Sequence, residues 1–139
     1  MNHSLSEIRA QMAEDARIVR DEILRNVPMR TASDLCTKLA CATNSDAKLD
    51  VEILVGKQKI FRLEFNADYI YPAFQFFPTG EPRPVIERAI ACLLPIYSAW
   101  DLATWFWSSN GWLGGRSPFE CVETDPELVV HAAEQELAE

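Results

Sequence analysis

Histidine and cysteine are the side chains that most often carry catalysis or bind metals, and this sequence does not bring them together. His3 and His131 lie near opposite ends of the 139-residue chain, so no histidine-based proton relay or metal cluster is evident. The cysteines have no C-x-x-C spacing and stand among apolar neighbours, which indicates buried thiols instead of a zinc site or a disulfide framework. They are Cys36, Cys41, Cys92 and Cys121. The sequence therefore predicts neither an enzyme nor a cofactor or metal site.

The glycine pair Gly114-Gly115 does not have the context of a nucleotide-binding loop. It is too short to cradle a phosphate, and no predicted strand precedes it. Two adjacent glycines instead let the backbone leave one helix and enter the next through a positive φ or a close approach. Ser117-Pro118 then favours the start of a new helix. We expect a structural turn here.

Arg116 is the one positive charge between residues 89 and 139. Two roles are open to it. It satisfies local carbonyls or a carboxylate such as Asp101 or Glu120, or it presents a fixed cation to a partner protein.

Three of the four tryptophans stand close together in the sequence, at positions 105, 107 and 112. Trp105 falls on the apolar stripe of a predicted helix. Trp107 and Trp112 flank the polar turn Ser108-Ser109-Asn110-Gly111, where a large aromatic side chain is either part of the core or a half-exposed anchor for a partner.

The N-terminal segment predicts one long helix. Ser4 and Glu7 form a capping-box pattern, and apolar residues follow at three- and four-residue steps as far as Ile23. The pattern predicts a helix from about residue 4 to 25, which ends because Val27 precedes a proline. Its apolar stripe is narrow, so the helix either packs on its own domain or pairs with a second copy as a dimerisation arm.

The next segment has the order helix, turn, helix, hairpin. Thr31 and Asp34 repeat the capping pattern, and a polar turn at residues 43–45 separates two apolar-periodic stretches, the second of which ends at Gly56. Alternating residues 61–65 and 69–71 then predict two strands joined by a tight turn. This order is typical of a winged helix-turn-helix.

Beyond residue 77 the chain predicts helices throughout. Pro84 suits a first helical position, Ser98 with Asp101 caps another helix, and Ser117-Pro118 and Asp125-Pro126 each start a further one. The fold class is therefore mainly α with a small β-hairpin (α+β). We divide the chain into an N-terminal helix (1–27), a degenerate winged helix-turn-helix (28–77) and a helical domain (78–139).

Two stretches of the chain resemble a known family. After the tryptophan-rich helix come the motif residues Asn110, Leu113, Gly114, Gly115, Arg116, Ser117 and Pro118, followed by the Asp125-Pro126 helix start. The link Tyr71-Pro72-Ala73-Phe74-Gln75-Phe76 precedes them. In this order they resemble the Xre/MbcA/ParS-like antitoxins, over about residues 30–139.

The resemblance implies a function without chemistry. The C-terminal domain would bind and neutralise a RES-type toxin, an enzyme that consumes NAD, by steric occlusion. The candidate toxin-binding residues are Trp107, Trp112, Arg116, Glu127 and Glu134. The last helix, from Pro126 to Glu139, would cover the toxin's active site and would be removable from an otherwise folded protein. Its acids, which include Glu136, would complement the charge of a basic cleft, although an acidic helix face is also common on solvated surfaces.

DNA binding is expected only from the N-terminal half. Residues 1–60 are net neutral, whereas residues 61–139 carry a net charge of −8, which opposes a phosphate-driven encounter. Operator DNA would contact Lys38, Lys48, Lys57, Lys59 and Arg62 in an autoregulatory complex. However, Asp46, Asp50 and Glu52 in the second helix argue against direct reading of bases.

Two alternatives without a toxin remain open: a DNA-binding transcriptional regulator, and a dimeric interaction module that has lost DNA binding. No apolar run is long enough for a membrane span, and no signal peptide is evident, so we expect a cytoplasmic protein. From the narrow stripe of the N-terminal helix, we expect a homodimer.

Overall fold

The computed structural model describes residues 4–35 and 47–138. It is mostly helical with a small antiparallel sheet, so the predicted α+β class is confirmed at that level. The helices are α1 (Leu5–Asn26), α2 (Ala47–Gly56), α3 (Pro84–Leu93), α4 (Ala99–Trp107), α5 (Pro118–Cys121) and α6 (Pro126–Ala138). The strands are β1 (Met29–Thr31), β2 (Leu63–Phe65) and β3 (Asp68–Pro72), and short 3-10 turns cover Ala73–Gln75 and Gly111–Leu113.

Helix α1 begins and ends as the sequence predicts. The Ser4 hydroxyl accepts a hydrogen bond from the Glu7 backbone N–H, and the Glu7 carboxylate accepts one from Ser4 N–H, which completes the capping box. The C-terminal end is anchored because Ile23 is buried in the core and Val19 packs against it. The first turns are not anchored in this way, since Leu5 is 70% exposed and Met12 is 65% exposed.

The sheet has the order β1-β3-β2, with both pairings antiparallel. The hairpin β2-β3 turns at Asn66 and Ala67, which both have positive φ, as a two-residue hairpin turn requires. The sequence predicted this hairpin but not β1, because three residues are too few to show alternation. Residues 32–35 form a helical turn after β1; the rest of that predicted helix and the turn at 43–45 lie outside the described residues.

The link between the sheet and the C-terminal helices is held by a buried amide. The Gln75 side chain is fully buried. Its carbonyl accepts a hydrogen bond from Phe61 N–H at 2.7 Å, and its NH2 group donates to the carbonyls of Phe61 and Pro72 at 2.9 and 3.2 Å. A buried amide costs little when it is satisfied in this way. Gln75 therefore holds Phe61, which precedes β2, against Pro72 at the end of β3.

One large apolar cluster unites the chain. It includes Ile23 of α1, Phe61 before β2 and Ile90 of α3, so buried contacts cross both predicted boundaries, near residues 27 and 77. The rings of Phe61, Phe74 and Phe106 lie within 4.9–6.2 Å of one another. The three-segment division remains a prediction. A smaller cluster, including Leu35, Val51 and Tyr71, joins the helical residues after β1 to α2 and β3.

Helix α6 is a core helix, which corrects one expectation. Val129, Ala132 and Ala133 are completely buried, and α6 packs mainly on α3. Removing residues 126–139 would therefore take away part of the core, so the last helix is not a separable cover. Among the described residues, no helix has the length and apolarity that crossing a bilayer requires.

Candidate protein-binding site

The turn between α4 and α5 is a closed loop built around Asn110. The side-chain oxygen of Asn110 accepts a hydrogen bond from Trp112 N–H at 2.9 Å. Its backbone N–H donates to the Arg116 carbonyl, and its own carbonyl accepts from Gly115 N–H at 2.9 Å. Gly114 and Gly115 have φ values of 67° and 86°, as expected for the pair. We call residues 108–118 the glycine turn.

Two serines fasten the glycine turn from either side. Ser109 Oγ donates to the Gly115 carbonyl at 2.7 Å, and Ser117 Oγ donates to the Trp107 carbonyl at 2.7 Å. Pro118 then occupies the first position of α5, as predicted. The motif residues thus serve the shape of the backbone, and Leu113 is buried in the core beneath them.

Arg116 joins the glycine turn to the start of α6. Its Nε donates to the Leu113 carbonyl at 3.0 Å, and Nη1 lies 2.8 Å from Asp125 Oδ2. This confirms the first of the two expected roles, in which Arg116 satisfies a local carbonyl and a carboxylate. The carboxylate is Asp125 and not Asp101 or Glu120, because the turn directs the guanidinium toward the residue before α6. The hydrogen bond to Asp125 raises the pKa of Arg116. Its charge is therefore already engaged within the chain.

The two candidate anchor tryptophans differ in their surroundings. Trp112 is 53% exposed, and its ring meets His131 of α6 edge to face at 5.3 Å. Trp107 is half-buried, stacks on Phe119 at 5.6 Å and donates its indole N–H to Glu22 of α1 at 3.4 Å. Trp112 thus has the exposure of a partner anchor, whereas Trp107 connects α1 to the C-terminal helices.

The acids of α6 also separate into different roles. Glu127 forms a two-pronged ion pair with Arg88 of α3, at 2.7 and 3.2 Å, which lowers the pKa of Glu127. Glu134 is exposed. Glu136, expected from the sequence only as one of the acids facing a basic cleft, accepts hydrogen bonds from Tyr97 Oη at 2.9 Å and Trp105 Nε1 at 3.1 Å. Burial, followed by this contact with Glu136, raises the pKa of Tyr97.

The partly buried position of Glu136 could have been predicted from the sequence. It follows Ala132 and Ala133 by four and three residues, so it lies on the core-facing stripe of α6. A carboxylate on a buried stripe needs a hydrogen-bonding partner. The partners themselves, 31 and 39 residues away, could not be read from the spacing.

Two adjoining hollows open beside the glycine turn. One, of about 550 Å³, lies between α4 and the end of α6. The other, of about 470 Å³, lies against Trp112. They share Ser109, Asn110 and Glu136. An exposed aromatic ring next to concave, partly polar surface is the arrangement that interface anchors use.

The candidate DNA-binding residues are only partly described. Lys38 lies outside the described residues, and Lys48 lies on α2. Lys57 is exposed and Lys59 half-buried in the connection from α2 to β2. Arg62 is held within the chain by Glu52 at 2.7 Å and by the ring of Tyr69, 3.8 Å from its guanidinium carbon. The hairpin also carries two exposed acids, Glu64 and Asp68.

Comparison with known proteins adds no relative. No family model, curated protein or solved structure matches this chain.

Proposed function

We propose that this chain is an antitoxin-like protein that binds a RES-type, NAD-consuming toxin and neutralises it by occlusion. The observation that carries the proposal is the exposed Trp112 on a rigid glycine turn beside two open hollows. The resemblance of residues 110–118 to the antitoxin motif supports the same assignment. Stable complexes are commonly anchored by an aromatic residue on a preorganised backbone.

The rigidity of the turn favours binding over a merely structural role for Trp112. Asn110, the two serines and Arg116 fix the backbone on both sides of the ring through the hydrogen bonds described above. Trp112 itself remains half exposed, although the apolar core lies directly below at Leu113. An interaction surface that is already ordered loses little conformational entropy when a partner binds.

Occlusion in this proposal is performed by a surface of the folded domain. Because α6 contributes Val129 and Ala133 to the core, it cannot act as a detachable plug. Its outward face and the glycine turn would together lie over the toxin's NAD cleft.

Co-purification with a RES-type toxin tests the proposal. We expect a stable complex with the unmodified protein and a complex about 30-fold weaker with Trp112→Ala, since an anchor contributes about 2 kcal/mol or more. Ile53→Ala is the matched control, because Ile53 is also an exposed apolar residue but lies on α2. If both variants retain the toxin equally well, Trp112 is not part of the interface.

We also propose operator binding by the N-terminal half, supported by a separate observation. The order of β1, the helical residues 32–35, α2 and the hairpin, with strand order β1-β3-β2, supports a winged helix-turn-helix in this half of the chain. The internal ion pair of Arg62 and the acids of the hairpin reduce the positive charge available to phosphates. The expected affinity for DNA is accordingly low.

A further inference from the structure

The larger hollow, between α4 and the end of α6, has an unusual balance of hydrogen-bonding groups. Its walls include Tyr97, Asp101, Thr104, Trp105, Ser108 and Glu136. Asn110, which the two hollows share, contributes a side-chain NH2 group, and the other side-chain donors of the wall are already used within the chain.

The two aromatic donors are both used by one carboxylate. Tyr97 Oη donates to Glu136 Oε2 at 2.9 Å, and Trp105 Nε1 donates to Glu136 Oε1 at 3.1 Å. Glu136 is thereby held in place, and each of its oxygens keeps a further lone pair.

The hydroxyl donors are used by backbone carbonyls. Thr104 Oγ1 donates to the Trp100 carbonyl at 2.9 Å, Ser108 Oγ donates to the Thr104 carbonyl at 2.6 Å, and Ser109 Oγ donates to the Gly115 carbonyl. A hydroxyl that has given its only proton can still accept. These oxygens therefore offer acceptors to whatever enters the hollow.

Charge reinforces this bias toward acceptors. Asp101 caps α4 by accepting from Ser98 N–H, and its carboxylate is a second negative group on the lining of the hollow. The nearest described cations in sequence, Arg88 and Arg116, are already in ion pairs with Glu127 and Asp125. Apart from the Asn110 NH2 group, the side-chain polar atoms left on the wall are acceptors, so a matching ligand group carries several donors and a positive charge.

We propose that the hollow receives an arginine side chain of the partner protein. The guanidinium group has five N–H donors in a planar fork and is always positively charged. Its charge complements Glu136 and Asp101. This inference rests on the proposed function, since it assigns the chemistry of the bound partner, and it predicts an exposed arginine on the toxin surface.

The test uses the full-length protein without any toxin. N-acetyl-arginine amide is titrated at constant ionic strength, and binding is followed by the NMR shift of the Trp105 indole N–H, with that of Trp107 as an internal reference. N-acetyl-citrulline amide has nearly the same shape without the charge, and N-acetyl-lysine amide has the charge without the fork. Glu136→Gln removes the charge of the carboxylate, and Glu134→Gln is the matched control on the same helix.

We expect saturable binding of the arginine probe at Trp105, about tenfold weaker binding of citrulline and lysine probes, and a similar loss in Glu136→Gln but not in Glu134→Gln. Absence of saturation, or equal binding of arginine and citrulline, overturns the proposal. Equal binding of lysine overturns the choice of arginine, and an equal loss in Glu134→Gln shows general attraction by acids. Should Glu136→Gln fail to fold, the comparison of probes on the unmodified protein still decides. Because no toxin is present, failure here leaves the co-purification result independent.

Discussion

At the scale of single residues, the glycine turn assigns a separate task to each motif position. Gly114 and Gly115 supply positive φ angles, Asn110 closes the loop, and Arg116 connects it to Asp125 at the start of α6. Trp112 is the exposed aromatic side chain of the glycine turn. The motif residues therefore fix the backbone of the glycine turn, and the glycine turn presents Trp112 as the candidate anchor for a partner.

Gly114→Val is expected to destabilise the protein by about 1–3 kcal/mol, because a β-branched side chain is strained at a φ of 67°. The space around Gly114 is open, so the loss would come from the backbone alone. Gly111→Val is the control: that site is also open but has no positive φ, and its change should stay within about 0.5 kcal/mol. Thermal and denaturant unfolding compare the two. Equal stability of both variants would show that the turn does not depend on Gly114.

Residue types predicted the glycine turn well but predicted its partners poorly. A pair of glycines before Ser-Pro has few conformational explanations, so its positive φ angles followed from sequence. The partner of Arg116 did not, because three carboxylates lie within reach in sequence and only the path of the turn selects Asp125. The hydrogen-bond partners of Glu136 were not predicted, because they belong to elements distant in sequence.

At the scale of elements, the first and last helices have opposite relations to the core. Helix α6 is packed along its length, with Val129, Ala132 and Ala133 buried. Helix α1 is anchored only near its C-terminal end by Ile23, while Leu5 and Met12 remain largely exposed. The two helices should therefore respond differently to truncation.

Removal of residues 126–139 is expected to abolish cooperative unfolding. The deletion exposes the face of α3 on which α6 packs and removes three fully buried residues. Far-UV circular dichroism and a melting curve measure this. If the truncated chain has the same melting temperature as the full chain, α6 is a separable cover and not part of the core.

Removal of residues 1–16 is expected to convert a dimer into a monomer without changing the melting of the domain. The deleted turns carry Leu5, Ile8 and Met12, which are exposed and lie along one stripe. Ile23 stays in place, which deletion of the whole predicted arm would not allow. Light scattering gives the mass of each form. If both forms are monomers, α1 serves only its own domain.

The elements differ in how far sequence could predict them. Capping boxes at Ser4 and Ser98 and the first-position prolines gave helix starts directly, since these are local signals. Strand β1 was missed because its three residues gain their structure from pairing with β3. A strand of three residues is too short to show the alternation of apolar and polar residues by which strands are recognised in a sequence.

At the scale of the whole molecule, charge separates the two proposed interactions. The C-terminal part carries the acidic surface beside the glycine turn, and the cations available for DNA lie before residue 63. The acidic C-terminal part is complementary to a basic protein surface, whereas the cations of the N-terminal part can make weak contacts with DNA phosphates.

Lys57→Glu together with Lys59→Glu is expected to abolish the shift of the chain's own upstream DNA in a gel at low salt. Both lysines precede the hairpin, and their reversal adds four negative charge units to a surface with few cations. The unmodified protein should itself lose binding steeply as salt rises. Glu64→Gln serves as the control and should bind at least as well. An unmodified chain that never shifts this DNA would favour an interaction module without DNA binding.

The most direct test of the central proposal is the rate at which the purified RES-type toxin consumes NAD in the presence of this chain. We expect the unmodified protein and Ile53→Ala to suppress the rate at stoichiometric concentrations, because both retain Trp112 on the glycine turn. Trp112→Ala should require about 30-fold more protein for the same suppression. If the unmodified chain leaves NAD consumption unchanged at saturating concentration, the protein is not an antitoxin of this kind.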